Sequence, residues 1–330
     1  MIRFPDGIDD YIFLRDYWQC QPLLLPGALP GLRSPIDRDE VAGLALEDEV
    51  ESRLVYERGN AGPWQLHHGP FQETDLTSLP ADSPWTLLVQ AVDLWVPEVR
   101  ALIDEFPFLP RWRMDDIMIS IANNGGSVGP HFDYYDVFLI QAEGQREWSI
   151  GGRCDESTAL LAGTDLKILD SFEATETWLL NPGDVLYLPP RVAHWGRAVG
   201  DDCMTWSLGF RAPTAGEMLD DLATEVLSLG HGRHYRDPSL SPDMASDNID
   251  PTFIRQARQL LLDTLDDEQL LAGWFASFMT RPKYPGLFLD DPSCRRRAQL
   301  PAMGNYPART FIDGLEVFAD DNSGQSNPSG

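Results

Sequence analysis

The chain has 330 residues, 43% of them hydrophobic, so a sizeable core can be buried and global disorder is excluded. Asp and Glu total 52 against 25 Lys and Arg, a net charge of −27 that repels nucleic-acid phosphate and anionic membrane and favours basic partners. Cys20, Cys154, Cys203 and Cys294 are far apart and spell neither a disulfide framework nor a zinc knuckle; with no signal-peptide shape and no membrane-length apolar run, a cytoplasmic protein is expected.

The first stretch, about 1–110, mixes helical and extended signals. Residues 13–19 read as a short amphipathic helix and 22–26 as a buried or edge strand. Residues 37–50 look helical, and 89–106 carry Val92, Leu94, Val99, Leu102 and Ile103 at helical spacing. From about 111 to 212 short strands are expected at 117–121, 137–140, 147–150, 178–180, 185–188 and 204–208. A turn is expected at Glu143-Gly144, and Pro182-Gly183 has the form of a type II turn. Many short strands with Gly/Pro turns predict a barrel or sandwich.

Beyond Pro213 the texture turns helical. Thr214 and Glu217 form a capping box, Met218, Leu222, Val226 and Leu229 form one apolar stripe, and Gly230 is a stop. Asp250-Pro251 opens a helix to about 263, and another runs over 268–279. Residues 238–247 read as a loop, 281–318 as extended pieces, and 320–330 as a polar, disordered tail.

The chemistry centres on Gly129-Pro130-His131-Phe132-Asp133. On a strand, residues two apart share a face, so His131 and Asp133 would enter a barrel interior together. His194, 61 residues beyond Asp133 (194 − 133), follows the strand at 185–188 and is placed to be the third ligand. Two neutral imidazoles and one carboxylate hold iron(II) on one face and leave the opposite face open. His67-His68 and His231/His234 are competing metal candidates, but neither comes with a carboxylate in a strand frame, and both read as solvated loop histidines. Arg146 shares strand parity with Trp148 and Ile150. An inward guanidinium among apolar neighbours needs an anionic partner, and a dicarboxylate cosubstrate would supply one. Tyr134, Tyr135 and Trp195 lie near the ligands in sequence and either wall a substrate channel or pack the barrel.

Together these segments carry a family resemblance. Trp112-Arg-Met-Asp-Asp-Ile-Met-Ile-Ser120, Gly129-Pro-His-Phe-Asp-Tyr-Tyr-Asp-Val-Phe-Leu-Ile-Gln141 and Glu143-Gly-Gln-Arg-Glu-Trp148 resemble the JmjC-type 2-oxoglutarate oxygenases. Tyr17-Trp-Gln-Cys-Gln-Pro-Leu-Leu-Leu25 and Ser207-Leu-Gly-Phe-Arg-Ala-Pro213 narrow the likeness to the ribosomal-oxygenase branch, and within it to bacterial arginine hydroxylases acting on large-subunit ribosomal protein sixteen. The resemblance covers roughly 10–215 well and the helical remainder loosely.

The resemblance implies an α+β chain: a double-stranded β-helix (cupin/jelly-roll JmjC) over 1–212, a helical dimerisation region over 213–280, and a small winged-helix-like module over 281–319. It implies iron(II) on His131, Asp133 and His194, with 2-oxoglutarate and O2 as cosubstrates. Arg146 would hold the distal carboxylate of 2-oxoglutarate, with Ser120 offering a hydroxyl to it. The implied enzyme is a homodimeric protein-arginine hydroxylase acting on a basic ribosomal protein. Two alternatives stand beside it: a JmjC oxygenase acting on a histidyl or methyl-lysyl substrate, which shares every metal residue, and a non-enzymatic cupin-type binding module, which keeps the barrel but does not need all three ligands plus Arg146. A nucleic-acid binder is the third rival, resting on Arg295-Arg296-Arg297 in acidic surroundings.

Overall fold

A computed structural model describes residues 1–57, 64–230, 234–244, 247, 249–287, 291–304 and 306–318. His231 and the tail at 320–330 lie outside the described residues. The chain divides into two compact units, Met1–Ala212 and Pro213–Gly330. Among the described residues no helix is long and apolar enough to cross a membrane.

The first unit is an antiparallel β structure. Its strands are β1 (Leu23–Leu25), β2 (Ser52–Tyr56), β3 (Gln65–His68), β4 (Trp85–Val89), β5 (Met114–Ala122), β6 (Val137–Arg153), β7 (Glu176–Leu180), β8 (Val185–Leu188) and β9 (Val192–Phe210). They pair in the order β1-β8-β6-β9-β5-β4-β2-β3, with β7 joined to β6. Alternate residues of β6 enter different cores, as a two-residue period requires. Phe138 and Ile140 join a core with Phe13, Phe106, Ile117, Ile119, Tyr187 and Trp206. Val137 and Leu139 join a second core with Leu180, Leu186, Leu188 and Val192.

Several expectations are revised here. The turn expected at Glu143-Gly144 is instead a bulge inside one continuous strand. The β6–β9 register shifts between Gln141 and Gln145, where Gly144 adopts φ +58°, and a Cβ there would lie 2.5 Å from the carbonyl oxygen of Asp202. The bulge reverses the parity of β6, so Trp148 and Ile150 join the same core as Val137 and Leu139. The helix expected over 89–106 is broken. Val89 ends β4, Val92–Trp95 is one short helix, and Pro97–Arg100 starts another because Val96 is extended (φ −122°) ahead of Pro97. The helix expected over 37–50 stops after Arg38–Leu44. Residues 13–19 form a π-helical turn, Phe13–Tyr17, rather than an amphipathic α-helix. The strands β2, β3 and β4 were not resolved by pattern reading.

Local chemistry elsewhere acts as its sequence dictates. Leu23–Leu25 pairs with β8, and the 181–184 turn is closed by a hydrogen bond from Asp184 N to Asn181 O (2.9 Å), with Gly183 at φ +90°.

In the second unit, Ala215–Ser228 starts at the reciprocal Thr214/Glu217 capping box. Pro251–Leu265 starts with Pro at the first helical position and the Asp250 carboxylate accepting from Thr252 N, and Glu268–Thr280 follows. The expected extended pieces are β10 (Arg297–Leu300), β11 (Arg309–Ile312) and β12 (Leu315–Val317), a three-stranded antiparallel sheet.

Candidate metal centre and dicarboxylate pocket

His131 and His194 face each other across a two-way backbone bridge. His131 N donates to His194 O (3.0 Å) and His194 N donates to His131 O (2.8 Å). Arg191 N donates to Asp133 O (2.6 Å), tying the other end of the ligand segment to the chain before β9. His194 lies within β9, opposite Ile150 of β6, and not in the loop after β8 as its sequence position suggested. His131 belongs to no strand longer than that single bridge, so the strand rule for His131 and Asp133 gives the right pairing from the wrong local structure.

Three ligand-type atoms converge, one from each of His131, Asp133 and His194, all within 4.8 Å of one another. The Asp133 carboxylate is 3.9 Å from His131 Nε2 and 3.7 Å from His194 Nε2. Both imidazoles are oriented by backbone carbonyls: His131 Nδ1 lies 2.9 Å from Gly129 O, and His194 Nδ1 lies 2.9 Å from Val192 O. A proton on each Nδ1 leaves the Nε2 lone pairs turned toward the carboxylate, the tautomer a cation requires. Burial, reinforced by the neighbouring His131, holds His194 down to about 4, so it is a neutral donor at neutral pH. Asp133 raises the Tyr135 hydroxyl well above the usual phenol range by charge, with burial adding, so the phenol stays protonated beside that carboxylate. The donor set of two imidazoles and one carboxylate fits a divalent iron ion bound on one face.

Arg146 follows the bulge on β6, opposite Ala198, on the same face as Trp148 opposite Gly196 and Ile150 opposite His194. It is 3% exposed, and its Nε and Nη2 are buried with no hydrogen-bond partner. Orphaned guanidinium donors at such a site fit a ligand carboxylate. Ser120, 6% exposed on β5, donates its hydroxyl to Thr205 O (3.3 Å), so in this arrangement it can only accept.

The flanking aromatics divide. Tyr134 (47% exposed) and Tyr135 (40%) reach the surface beside Asp133, with the Arg191 guanidinium 5.8 Å from the Tyr134 ring. Trp195 points away from its neighbour His194 and is held by packing: its indole donates to Ser127 Oγ (2.9 Å) and Arg197 stacks 4.0 Å over it. His67 and His68 are exposed on β3, not in a loop, and His234 is exposed; none joins a metal-type cluster among the described residues.

Pattern reading missed Asp116. It is 5% exposed, accepts from Gln90 Nε2 (2.7 Å), and its charge is felt at Tyr135. The available signal was an acid inside an apolar strand, Met114-Asp-Asp-Ile117, which requires a partner or a function.

A family model of the JmjC domain matches residues 101–218. The chain is 39% identical over 274 residues to the ribosomal protein uL16 3-hydroxylase of Escherichia coli, covering 82% of this chain and 71% of that one. It is 35% identical over 307 residues to a probable ribosomal oxygenase of Haemophilus influenzae, covering 88% and 73%. Among solved structures it is similar to the E. coli ribosomal oxygenase YcfD in complex with cobalt and 2-oxoglutarate, with a TM-score of 0.80, 32% identity, and coverage of 96% of this chain and 88% of that chain.

Proposed function

The chain belongs to the JmjC-domain ribosomal oxygenases, and from that premise we propose that it hydroxylates an arginine side chain of a large-subunit ribosomal protein. The observation that carries this reading is the orphaned, buried guanidinium of Arg146 on the face that also bears the imidazole of His194. A metal-type triad alone suits many chemistries; a triad beside an unpaired cation suits a metal with a dicarboxylate. His131, Asp133 and His194 hold iron(II), Arg146 holds the distal carboxylate of 2-oxoglutarate, and Ser120 lines the same pocket as an acceptor. Bound iron(II), with 2-oxoglutarate and O2, supplies the oxidising power to hydroxylate an unactivated C–H bond, with succinate and CO2 as coproducts.

The protein's own groups orient and select. The Gly129 and Val192 carbonyls fix both imidazole tautomers, and the protonated Tyr135 phenol stands beside the Asp133 carboxylate. The buried Asp116 carboxylate beside Tyr135 offers negative charge to a guanidinium entering past the two tyrosines, which favours arginine over a neutral side chain. Incubation with ribosomal protein uL16, iron(II) and 2-oxoglutarate is expected to add one oxygen to one arginine, read by fragment mass spectrometry. Oxygen on histidine, or loss of methyl groups from lysine, would assign the enzyme to another oxygenase specificity. No modification and no 2-oxoglutarate binding would favour a cupin-type binding module.

The net charge of −27 gives this reading a further expectation. A basic substrate is steered by long-range attraction, which fades as the screening length falls from ~10 Å at 0.1 M salt to ~3 Å at 1 M. KM for a basic peptide should therefore rise with ionic strength while peptide-independent turnover of 2-oxoglutarate holds steady. A salt-insensitive KM would remove the steering role.

The second unit serves as a homodimerisation region over 213–280 with a small winged-helix-like module over 281–319. Its support is apolar exposure on two helices: Leu219 (60%) and Leu227 (80%) on one, Ile254 (61%) and Leu261 (67%) on the other. Arg295 of the basic run is paired with Asp313 (3.5 Å), consistent with no direct nucleic-acid role. Sedimentation at micromolar concentration is expected to give the mass of a dimer, and a monomer would refute it. The acidic, enzyme-like chain is assigned to the cytoplasm.

A further inference from the structure

We propose that the indole N–H of Trp148 is a hydrogen-bond donor to the dicarboxylate cosubstrate, forming with Arg146 a two-residue anion receptor beside the metal donors. This rests on the iron/2-oxoglutarate reading above and adds to it a residue that neither the metal triad nor the Arg146 assignment requires.

Trp148 is 5% exposed, and its Nε1 is buried without a hydrogen-bond partner. Buried indole N–H groups normally find an acceptor, because an unpaired one keeps its full desolvation cost. The apolar side chains clustered with Trp148 (Val137, Leu139, Ile150, Leu180, Leu186 and Leu188) contain no acceptor.

The ring is held in one orientation by Gly196 across the ladder. A Cβ added to Gly196 would lie 2.7 Å from Trp148 Cη2 and Cζ3 and 2.9 Å from Cε3. Those three atoms form the benzo edge of the indole, remote from Nε1. The absence of a side chain at 196 thus seats that edge on the backbone of β9 and leaves the N–H edge turned elsewhere.

Where the ring stands gives the missing acceptor its identity. Its centroid is 5.8 Å from the His194 ring, and the Arg146 guanidinium carbon lies 5.7 Å from the indole. Trp148 therefore stands within 6 Å both of the cation proposed to anchor the cosubstrate and of one imidazole of the metal donors. Arg146 Nε, Arg146 Nη2 and Trp148 Nε1 are three buried, unpaired donors on neighbouring same-face positions of one strand. Guanidinium and indole nitrogens have no acceptor capacity. Three unpaired donors on one face select a ligand rich in anionic oxygens, and a dicarboxylate held by Arg146 lies within reach of the indole's neighbourhood.

If Trp148 merely fills space, phenylalanine serves as well. In the Zn(II)-loaded full-length protein, Trp148→Phe is expected to weaken 2-oxoglutarate binding by roughly ten-fold or more, as for the loss of a hydrogen bond to a charged group, with Zn(II) affinity unchanged by calorimetry. A second readout needs no variant. In the wild type, the indole N–H resonance with a nuclear Overhauser contact to the His194 ring should move downfield when 2-oxoglutarate, but not Zn(II) alone, is added. Wild-type binding with an unchanged Kd in the variant, or an indole resonance that does not move, overturns the role of Trp148 alone. Failure of the wild type to bind 2-oxoglutarate overturns the cosubstrate reading itself, and this proposal with it.

Discussion

Replacing Arg146 with methionine should nearly abolish 2-oxoglutarate binding and, at the same time, make the ligand-free protein more stable. The two effects share one cause. Arg146 is 3% exposed, and two of its nitrogens are buried without partners. A buried, unpaired charged donor costs several kcal/mol of desolvation, and replacing such a group by an apolar side chain of similar length is often stabilising by ~1–4 kcal/mol. Methionine keeps the length and packing while removing the cost, so Tm should rise by several degrees. When the ligand is present the sign reverses: losing one member of a buried charge pair costs ~2–5 kcal/mol, roughly 30- to 5000-fold in Kd. Arg146→Lys keeps the charge but not the two-pronged donor geometry, and should fall between. Calorimetric titration and thermal melts read both quantities. An Arg146→Met protein that binds 2-oxoglutarate normally would refute the anchor, and one that is destabilised without ligand would show that the guanidinium finds protein partners of its own.

The second large effect belongs to Asp133. Asp133→Ala should reduce iron(II) affinity and hydroxylation by well over the ~10–100-fold that loss of an outer hydrogen-bond partner costs, because the only anionic member of the triad is gone. Two neutral imidazoles would remain, His131 and His194, with their Nδ1 contacts to Gly129 O and Val192 O intact. The fold should survive, since Asp133 is only half-buried and its backbone contact with Arg191 does not depend on the side chain. Anaerobic iron(II) titration with His68→Ala as a control separates the sites: His68 is exposed on β3, outside the triad, and its loss should change nothing. Equal iron affinity in wild type and Asp133→Ala would sink the metal assignment.

Much of this site is legible in the sequence. His131, Asp133 and His194 could be grouped because a ligand pair two residues apart, weak evidence by itself, stands in a β-rich setting with a distant histidine after a strand. The caps at Thr214 and Asp250, the turn at Pro182-Gly183 and the strand 23–25 are settled by a few adjacent residues, and local chemistry is what a sequence displays directly. The strands β2, β3 and β4 were missed because each is only four or five residues long, and β2 and β4 pair with each other across the intervening β3 and a short helix. His194 was placed in a loop because Pro189-Pro190 interrupts the pattern, whereas β9 starts directly afterwards, with Arg191 at φ +70° making the turn into it.

The sequence by itself determined which side chains could bind a metal and an anion, since donor type, charge and short-range spacing are properties of the residues. Only the tertiary structure decided that these residues meet. The register of β6 against β9 sets Ile150 opposite His194 and Arg146 opposite Ala198, and the bulge at Gly144 reverses strand parity so that Trp148 shares a core with Val137 and Leu139. A one-residue change of register would turn every one of those side chains to the other face. Register is fixed by packing between strands distant in the chain and by a carbonyl of Asp202 that leaves no room for a Cβ at Gly144. Those are contacts between parts of the molecule that no local window of residues contains. The orphaned donors of Arg146 and Trp148 belong to the same category: a buried group is seen to lack a partner only once everything that surrounds it is in place.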